Sequence, residues 1–319
     1  MSDTVILQED IKKIKNEDEL FVLVKYSPEA AEITGYSDYS YWRSVFQHFL
    51  RRKSTVVQTV IFVVLVVFSF VALLIGHYGN YIELVPDLNQ TFIRPNSHYW
   101  FGTDNIGRDY WTQVWYASQT SIKLAAFVGI GQTVLGIVLG LMWGYIRSLD
   151  RPLTEVYNII NNVPTIIYMT LIALLIGQSF LVMVIALTAF GWLAMARNMR
   201  NLVFMFRDRE FNLASRALGT PVSRILTRNM LPQLISVIIL RLALSIPATI
   251  TMETTLSYLG LGLDVNTPSL GILLRNARSY FLDYPYLLIF PAVIVSLVTL
   301  TFYLIGNTLS DAADPRNHV

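Results

Sequence analysis

The chain has 319 residues, of which 54% are hydrophobic and only 14% are charged. Soluble globular proteins carry roughly 25% charged residues, so this composition indicates a protein whose surroundings are largely lipid. The net charge of +2 does not favour a nucleic-acid partner, and the absence of cysteine excludes disulfides, thiol catalysis and zinc–thiolate sites. No metal site is expected from the histidines, which are scattered without ligand spacing: His48, His77, His98 and His318.

Residues 1–54 are mostly polar and mixed in charge, and the first long apolar run begins near Val56. A cleaved secretory signal has a short basic start followed at once by an apolar run, a pattern that this segment lacks. We therefore expect 1–54 to be an N-terminal cytoplasmic extension and the apolar run to be a retained membrane anchor. Residues 55–319 are predicted to form one all-α, polytopic membrane domain.

Six apolar stretches meet or approach the roughly 20 residues that a helix needs to cross the hydrocarbon core of a membrane. In chain order they are 56–75, 122–146, 156–176, 181–195, 234–256 and 286–309. The third and fourth are separated by a very short connection, which predicts a tight helical hairpin. Two connections are too long to be simple turns, 78–120 and 197–232, and loops of that length are usually functional.

Lysine and arginine are concentrated on one side of the predicted spans. They are frequent in 1–54 and in 197–232. The loops on the other side contain few of them: Arg94, Arg108, Arg275 and Arg278. Because cytoplasmic loops retain basic residues, this asymmetry predicts that both termini are cytoplasmic. It makes 78–120 an external loop and 197–232 a cytoplasmic loop.

Two features of the spans predict how the helices pack. Gly136, Gly140 and Gly144 repeat every four residues in the second span, and small residues at this spacing let helices approach closely in lipid. Pro164 is predicted to kink the third span, because proline removes a backbone donor from the interior of a helix. We therefore expect one close helix pair and one bent helix.

The cytoplasmic loop contains an amphipathic pattern around a glycine. An apolar stripe that includes Ala214 and Leu218 precedes Gly219, which is placed to end a helix in a left-handed conformation. Pro221 is suited to the first position of a second helix, which is predicted to end at Pro232. The pattern alone leaves two interpretations open: an interfacial helix pair on the lipid headgroups, or a compact projection on the cytoplasmic face.

The spacing of this loop resembles the E-A-A, G and I-x-L-P pattern found in the cytoplasmic loop of ABC-importer permeases. Here 213–215 occupies the E-A-A position, Gly219 the glycine and 229–232 the end, with Leu213 in place of the usual glutamate. The resemblance implies that the first helix docks on a partner ATPase and transmits its closure to the pore. The residues that it implicates in coupling are Glu210, Leu213, Ala214, Ser215, Arg216 and Gly219.

Three further motifs resemble those of the oligopeptide and dipeptide permease group, specifically its C-type subunit. Residues 101–109 read F-G-T-D-N-I-G-R-D, residues 256–263 read L-S-Y-L-G-L-G-L, and residues 309–316 read L-S-D-A-A-D-P-R. The amino-acid sequence of 212–216 is most similar to that of the oligopeptide permeases of streptococci and lactic-acid bacteria. The resemblance covers about 98–316 and implies a type I importer bundle that translocates oligopeptides across the bacterial plasma membrane. Dipeptides, or a metal chelate such as a nickel complex, are the alternative substrates.

The resemblance also implies the partners. A second homologous permease subunit would complete the pore, two cytoplasmic ATPase subunits would bind ATP and Mg, and an external substrate-binding lipoprotein would deliver the peptide. The chain contains no G-x-x-x-x-G-K-S/T sequence, so it is not expected to bind nucleotide through a P-loop. We expect this chain to have no catalytic residue, to bind no cofactor of its own, and otherwise to contact only membrane lipid.

Polar residues inside a span are costly and usually face a cavity or a neighbouring helix. The candidates for the translocation path are Asn161 in the third span, and Arg241 and Glu253 in the fifth. Arg241 and Glu253 are more than three turns apart and cannot pair on one straight helix. Gating pairs and helix–helix hydrogen bonds are the alternative roles.

Residues 104–109, D-N-I-G-R-D, lie within the predicted external loop. Their ligand spacing and the missing distal glutamate argue against a calcium loop. Asp and Asn side chains that bond the nearby backbone, with Gly107 at positive φ, would instead make a tight turn. Docking of the external delivery protein is the alternative role.

Two other classes of membrane protein are compatible with a polytopic chain. A stand-alone ion-coupled carrier would show inverted internal repeats and buried carboxylates, whereas this sequence has no visible repeat and one clear intramembrane carboxylate, Glu253. A membrane-embedded enzyme would need a nucleophile–base set, a metal site or paired carboxylates, and no such set is evident. The sequence therefore favours a permease subunit over both.

Overall fold

The computed structural model describes residues 53–75, 85–264 and 266–312, together with Val45 and Phe49. All of these residues belong to one compact unit, Val45–Val319. Nearly all of the predicted extension 1–54, and residues 78–84 of the predicted external loop, lie outside the described residues. Within the described ranges the regular structure is helical apart from one isolated β-bridge, so the all-α prediction is confirmed.

The longer helices follow one another along the described chain, and the longest connection lies between Ile75 and Tyr110. They are α1 (Lys53–Ile75), α2 (Tyr110–Tyr145), α3 (Arg147–Asn161), α4 (Thr165–Leu175), α5 (Phe180–Arg207), α6 (Glu210–Ala217), α7 (Leu231–Tyr258), α8 (Leu270–Ala277) and α9 (Tyr286–Ala312). A 3₁₀ turn at Leu88–Gln90 precedes α2, and a helical turn at Val222–Arg224 followed by a π-helical turn at Ile225–Met230 leads into α7.

Five of the described helices are long and apolar enough to cross a membrane by themselves. They are α1, α2, α5, α9 and the continuous helix Val222–Tyr258, which includes α7. The pair α3 and α4 meets the same criterion only when taken together, and its two members are bent by 80°. The predicted number of six spans is therefore reached if this bent pair counts as one broken span.

The third predicted span, 156–176, is wrong as a continuous helix. The chain leaves the helix between Asn161 and Thr165, and Pro164 takes an extended conformation with φ −56° and ψ 132°. Proline has no N–H to donate, and its ring disfavours helical geometry at the preceding residue. Pro164 therefore breaks the span rather than only kinking it.

The predicted cytoplasmic loop also differs from the prediction at its second helix. No helix ends at Pro232, because the turn that begins at Val222 continues through the π-helical turn into α7. In that turn Leu231 N–H bonds the Leu226 carbonyl oxygen five residues back. The wider π turn lies directly before Pro232, where an ordinary α-helix would be disturbed by the missing N–H and the proline ring.

The fourth span is longer than predicted, because α5 continues from Phe180 to Arg207. The apolar run in the sequence is interrupted by arginines after Met195, but the buried face continues through Met199 and Val203. Two arginines of this stretch contact α3 instead: Arg200 pairs with Asp150 at 2.5 Å, and Arg197 lies over the Tyr157 ring. Burial on one face thus extends the helix beyond its hydrophobic run.

The glycine stripe of α2 packs directly on α5, as predicted. A Cβ added at Gly136 would lie 2.4 Å from Met195 Cβ, and one added at Gly140 would lie 2.5 Å from the Ala196 carbonyl oxygen. A Cβ at Gly144 would lie 2.7 Å from Val203 Cβ. These distances are shorter than side-chain contacts allow, so only glycine permits this close approach.

Three apolar clusters lie along the bundle. The distal cluster, at the end of the bundle opposite α6, includes Leu73, Val114, Ile250, Leu270 and Leu287. The middle cluster includes Leu124, Met169, Leu187, Leu263 and Ile272. The coupling-end cluster, beside α6, includes Leu141, Met199, Val203, Met230 and Leu234. The outward faces of the spans remain apolar, as on Val64 and Leu74 of α1, which suits contact with lipid.

Candidate functional site

The predicted coupling segment folds as α6 and ends in a glycine turn. Gly219 has φ +74°, the left-handed conformation that favours glycine. Thr220 N–H bonds the Ser215 carbonyl oxygen, and Gly219 N–H bonds that of Arg216, each at 3.0 Å. This pair of bonds is the Schellman arrangement for ending a helix. The glycine at this position therefore has a local structural cause.

A pair of asparagine side chains, one of them fully buried, holds α6 against the rest of the chain. Asn212 is fully buried, and its Nδ2 donates to the Phe206 carbonyl oxygen at the end of α5 over 2.8 Å. Asn229, in the π-helical turn, donates through Nδ2 to Asn212 Oδ1 at 3.3 Å and to Ser215 Oγ at 3.0 Å. The asparagine that replaces the usual isoleucine of the family pattern therefore connects α6 to the helix leading into α7.

An ion pair fastens the other side of α6. Arg216 Nη2 donates to Asp208 Oδ1 and to the Arg207 carbonyl oxygen, both at 2.9 Å. The hydrogen bond from Arg216, helped by the charge of Arg207, lowers the pKa of Asp208 below its usual range. The carboxylate is exposed to solvent, so the pair contributes orientation more than stability.

The predicted coupling residues divide between the two faces of α6. Glu210, Leu213 and Ala214 are exposed, and so is Gly219 in the turn. Leu213 is 47% exposed and Leu218, next to the turn, is 85% exposed. Ser215 and Arg216, in contrast, make the inward bonds described above. The structure therefore offers an outward face with apolar side chains and uses the other face for attachment.

A cavity of about 270 Å³ lies where the break between α3 and α4 meets α2, α5 and α7. Asn161, predicted to face the path, is one of its lining residues. The polar side chains that line it are Gln132, Asn161, Thr165, Tyr168, Ser245 and Thr249. None of the described residues around it is charged, and the rest of the lining is apolar, with two methionines and Phe190. The cavity thus combines neutral hydrogen-bonding groups with an apolar wall.

The cavity continues into an open groove on the outside of the chain. Pro164, Thr165 and Ile166 line this groove on one side. On the other side, α7 contributes Ala248, Thr251, Met252 and Thr255. Thr251 and Thr255 are exposed, so this face of α7 is more polar than the lipid-suited face of α1.

The other two predicted path residues lie outside the cavity. Arg241 is exposed on α7 and donates through Nη2 to Asn198 Oδ1 of α5 at 3.0 Å. Glu253 is fully buried, and its carboxylate accepts hydrogen bonds from Ser121 and Ser257. Gln132 of α2 lines the cavity but was not predicted to do so. The sequence feature that could have indicated it is an amide side chain within an apolar run.

The motif at 104–109 in the predicted external loop forms a tight turn around Asp104, as predicted. Asp104 Oδ1 accepts from Arg108 N–H at 2.8 Å and from Ile106 N–H at 3.1 Å, while Gly107 has φ +80°. Its Oδ2 accepts from Gln113 Nε2 of α2 at 2.9 Å. Asp109 then caps α2 through Thr112 N–H at 2.9 Å. The motif therefore joins the external segment to the start of α2.

Comparison with known proteins relates this chain to a large group of membrane proteins. The family model described as binding-protein-dependent transport system inner membrane component matches residues 136–319. The oligopeptide transport system permease protein AmiD of Streptococcus pneumoniae is 36% identical over 301 residues, covering 94% of this chain and 98% of that protein. The dipeptide transport system permease protein DppC of Bacillus subtilis is 30% identical over 302 residues, covering 94% and 93%.

One further relative and one solved structure are also similar to this chain. The oligopeptide transport system permease protein OppC of Bacillus subtilis is 29% identical over 282 residues, covering 87% of this chain and 90% of that protein. Among solved structures, a chain of the inward-facing MetNI methionine ABC transporter superposes with a TM-score of 0.52 at 16% identity. That superposition covers 62% of this chain and 94% of the other, and it supports the fold.

Proposed function

The chain belongs to the family of binding-protein-dependent transport system inner membrane components, and we propose that it forms one half of the membrane pore of an ATP-driven oligopeptide importer. The observation that carries this proposal is the combination of α6, with its exposed apolar face, and a neutral cavity deep in the bundle. The two features are connected by α5 and by the continuous helix Val222–Tyr258. The chain itself performs no covalent chemistry.

Oligopeptides suit the cavity because its polar lining is uncharged. Gln132 and Asn161 offer amide groups, and Ser245 and Thr249 offer hydroxyls, which can pair with the N–H and C=O groups of a peptide backbone. Such a lining does not require a particular side chain on the substrate. The similarity to permeases that are named for oligopeptides and dipeptides supports the same substrate class.

The exposed face of α6 is the proposed docking surface for a cytoplasmic ATPase subunit, which would bind ATP and Mg. Glu210, Leu213 and Ala214 point away from the bundle and would contact the ATPase, with Gly219 ending the helix at the contact. Ser215 and Arg216 would transmit the motion, since their bonds connect α6 to the ends of α5 and α7. Closure of the ATPases would thereby move the helices that surround the cavity.

The open groove on α7 is the proposed contact with a second, homologous permease subunit. Thr251 and Thr255 expose hydroxyls on a membrane-spanning helix, and covering them with protein is more favourable than exposing them to lipid. With α6 on the cytoplasmic side, both termini are cytoplasmic and the turn around Asp104 is external. A substrate-binding lipoprotein would then deliver peptide to that external side of the plasma membrane.

The proposal is tested by uptake of a labelled short oligopeptide in cells that carry or lack this chain. Uptake is measured with ATP intact and the proton gradient collapsed. We expect uptake to require the chain and to survive the collapse. Loss of uptake on collapse would indicate an ion-coupled carrier. Uptake of a dipeptide or a nickel chelate, but not of the oligopeptide, would mean that the substrate class is that of the compound taken up.

A matched pair of variants tests the docking surface in the same cells. Leu213→Asp places a charge on the exposed face of α6, whereas Leu282→Asp changes a side chain of similar type that is 82% exposed near the start of α9. We expect Leu213→Asp to abolish co-purification of the ATPase subunits and Leu282→Asp to leave it intact. Equal co-purification with both variants would contradict docking at α6.

A further inference from the structure

A carboxylate that has no basic partner among the described residues lies buried near the distal end of α7. Glu253 is fully buried, and it is about 33 Å along the helix axis from Leu231, at the coupling end. Ser257 Oγ donates to Glu253 Oε1 at 2.8 Å, and Ser121 Oγ of α2 donates to Oε2 at 3.1 Å. Ser269, also fully buried, lies beside the same carboxylate.

Each of these three serines also accepts a backbone N–H from the segment that follows α7. We call residues 259–264 and 266–277 the distal segment. Leu263 N–H bonds Ser257 Oγ at 3.4 Å, Leu270 N–H bonds Ser121 Oγ at 3.2 Å, and Ile272 N–H bonds Ser269 Oγ at 3.3 Å. A hydroxyl has one proton to donate, so donating it to Glu253 leaves its lone pairs directed at these N–H groups. One carboxylate therefore orients the two serines outside the distal segment, Ser257 and Ser121, that hold its backbone.

The glycines of the distal segment allow its backbone to reach these serines. A Cβ added at Gly262 would lie 2.0 Å from Ser257 Oγ, and one added at Gly271 would lie 2.7 Å from Thr254 Cα. Gly260 has φ +82° and turns the chain out of α7. The L-G-L-G-L sequence is thus explained by the approach of this backbone to the Glu253 site.

The distal segment in turn closes the space above the cavity. Leu263 and Ile272 are buried in the middle cluster together with Met169 and Leu187. Met169 and Leu187 also line the cavity, so one layer of apolar side chains separates the cavity from the distal segment. In addition, Gln178, in the turn before α5, donates to the Gly260 carbonyl oxygen at 2.8 Å.

We propose that Glu253 is the positioning residue of a distal seal, formed by Leu263 and Ile272 in the middle cluster, which closes the end of the cavity away from the coupling segment. Its role in transport rests on the proposed function, whereas the attachment itself does not. A buried polar network of this kind is favourable only while every member is satisfied. Loss of the carboxylate leaves the hydroxyls of Ser121 and Ser257 without their acceptor and releases the distal segment.

The chain has no cysteine, so single introduced cysteines report local opening without background. The experiment uses the full chain, co-expressed with its partners, in membranes opened to the reagent on both faces. A water-soluble maleimide is added, and labelling of Leu263→Cys is compared in the native and the Glu253→Ala backgrounds. Two control positions accompany it: Leu282→Cys, which is exposed, and Met199→Cys, which is buried in the coupling-end cluster.

We expect Glu253→Ala to raise the labelling rate of Leu263→Cys by about tenfold or more, because labelling follows the population of the locally opened state. Glu253→Gln keeps one acceptor oxygen and should raise it less. Leu282→Cys should label at the same rate in both backgrounds, and Met199→Cys should stay protected. The seal is rejected if Leu263→Cys remains slow in Glu253→Ala, or if Met199→Cys becomes equally reactive, since the latter means general unfolding.

Peptide uptake by the same strains separates this inference from the proposed function. Labelling needs no transport, so a seal that opens in Glu253→Ala stands even if the native chain imports no peptide. Conversely, normal import by the native chain together with unchanged labelling would overturn the seal and leave the proposed function in place.

Discussion

The buried amide of Asn212 allows the attachment of α6 to be weakened without touching its exposed face. Asn212→Ala removes the 2.8 Å bond to the Phe206 carbonyl oxygen and the 3.3 Å bond from Asn229. Leaving a buried polar group unsatisfied costs about 1–3 kcal/mol. If that cost falls on α6 alone, local opening of the helix becomes about 5- to 150-fold more frequent.

Hydrogen–deuterium exchange of the assembled complex measures this opening directly. We expect the amides of α6 to exchange faster by the stated factor in Asn212→Ala, and peptide uptake per complex to fall. Leu213→Ala, which changes the exposed face, should weaken ATPase binding, and in complexes stripped of the ATPase it should leave exchange in α6 unchanged. Asn201→Ala, at an exposed position on α5, is the control for loss of an amide side chain.

Two results would contradict the proposed attachment of α6 through Asn212. Unchanged exchange in Asn212→Ala would mean that the two hydrogen bonds do not hold the helix in place. Faster exchange with full uptake would mean that an ordered attachment of α6 is not needed for coupling.

Three other perturbations test the packing, the ion pair and the bend. Gly140→Ala would place a Cβ 2.5 Å from the Ala196 carbonyl oxygen, so it should separate α2 from α5 and lower stability by about 1–3 kcal/mol, measured by thermal unfolding. Because bonding to Arg216 lowers the pKa of Asp208, this carboxylate stabilises α6 at neutral pH and the effect is lost as pH falls through its folded-state pKa. The protection of the α6 amides, measured as exchange relative to the intrinsic rate at each pH, should therefore be constant near neutral pH and fall only in strong acid, and Asp208→Asn should remove that acid dependence. Pro164→Ala restores a backbone donor and should lengthen the distance between spin labels placed on α3 and α4, as the bend of 80° relaxes.

Each of these expectations has a contrary outcome. An unchanged melting temperature for Gly140→Ala would mean that α2 and α5 can separate at no cost. Acid-dependent exchange that persists in Asp208→Asn would assign it to another group. An unchanged label distance in Pro164→Ala would mean that packing around the cavity, rather than the proline, sets the bend.

Much of the architecture follows from the sequence because lipid imposes a strict local rule. A chain in hydrocarbon must satisfy its backbone groups within helices, so long apolar runs identify α1, α2, α7 and α9 without tertiary information. They do not identify where α2 begins, because it starts at Tyr110, within the predicted loop 78–120. The glycine spacing of α2 and the glycine that ends α6 are similarly local, since each depends on the absence of a single Cβ. These predictions were confirmed for that reason.

Other features depend on contacts between residues that are far apart in the chain. The extension of α5 to Arg207 requires burial against α2, and the place of Asn161 in the cavity requires the angle at the α3–α4 break. The hydropathy of a single segment reports neither the burial of α5 against α2 nor the angle between α3 and α4. It therefore placed the end of α5 too early and treated the broken span as continuous.

Glu253 shows most clearly the difference between what the local sequence determines and what contacts between distant residues determine. From the sequence it is an intramembrane carboxylate, and helix pairing and path lining were both compatible with it. Only the tertiary structure brings Ser121 to it across 132 positions of sequence and folds Ser269 back over α7. The cost of burying a carboxylate is known from its chemistry alone, but the hydroxyls that offset it come from separate elements, and their meeting is decided by the packing of the whole bundle.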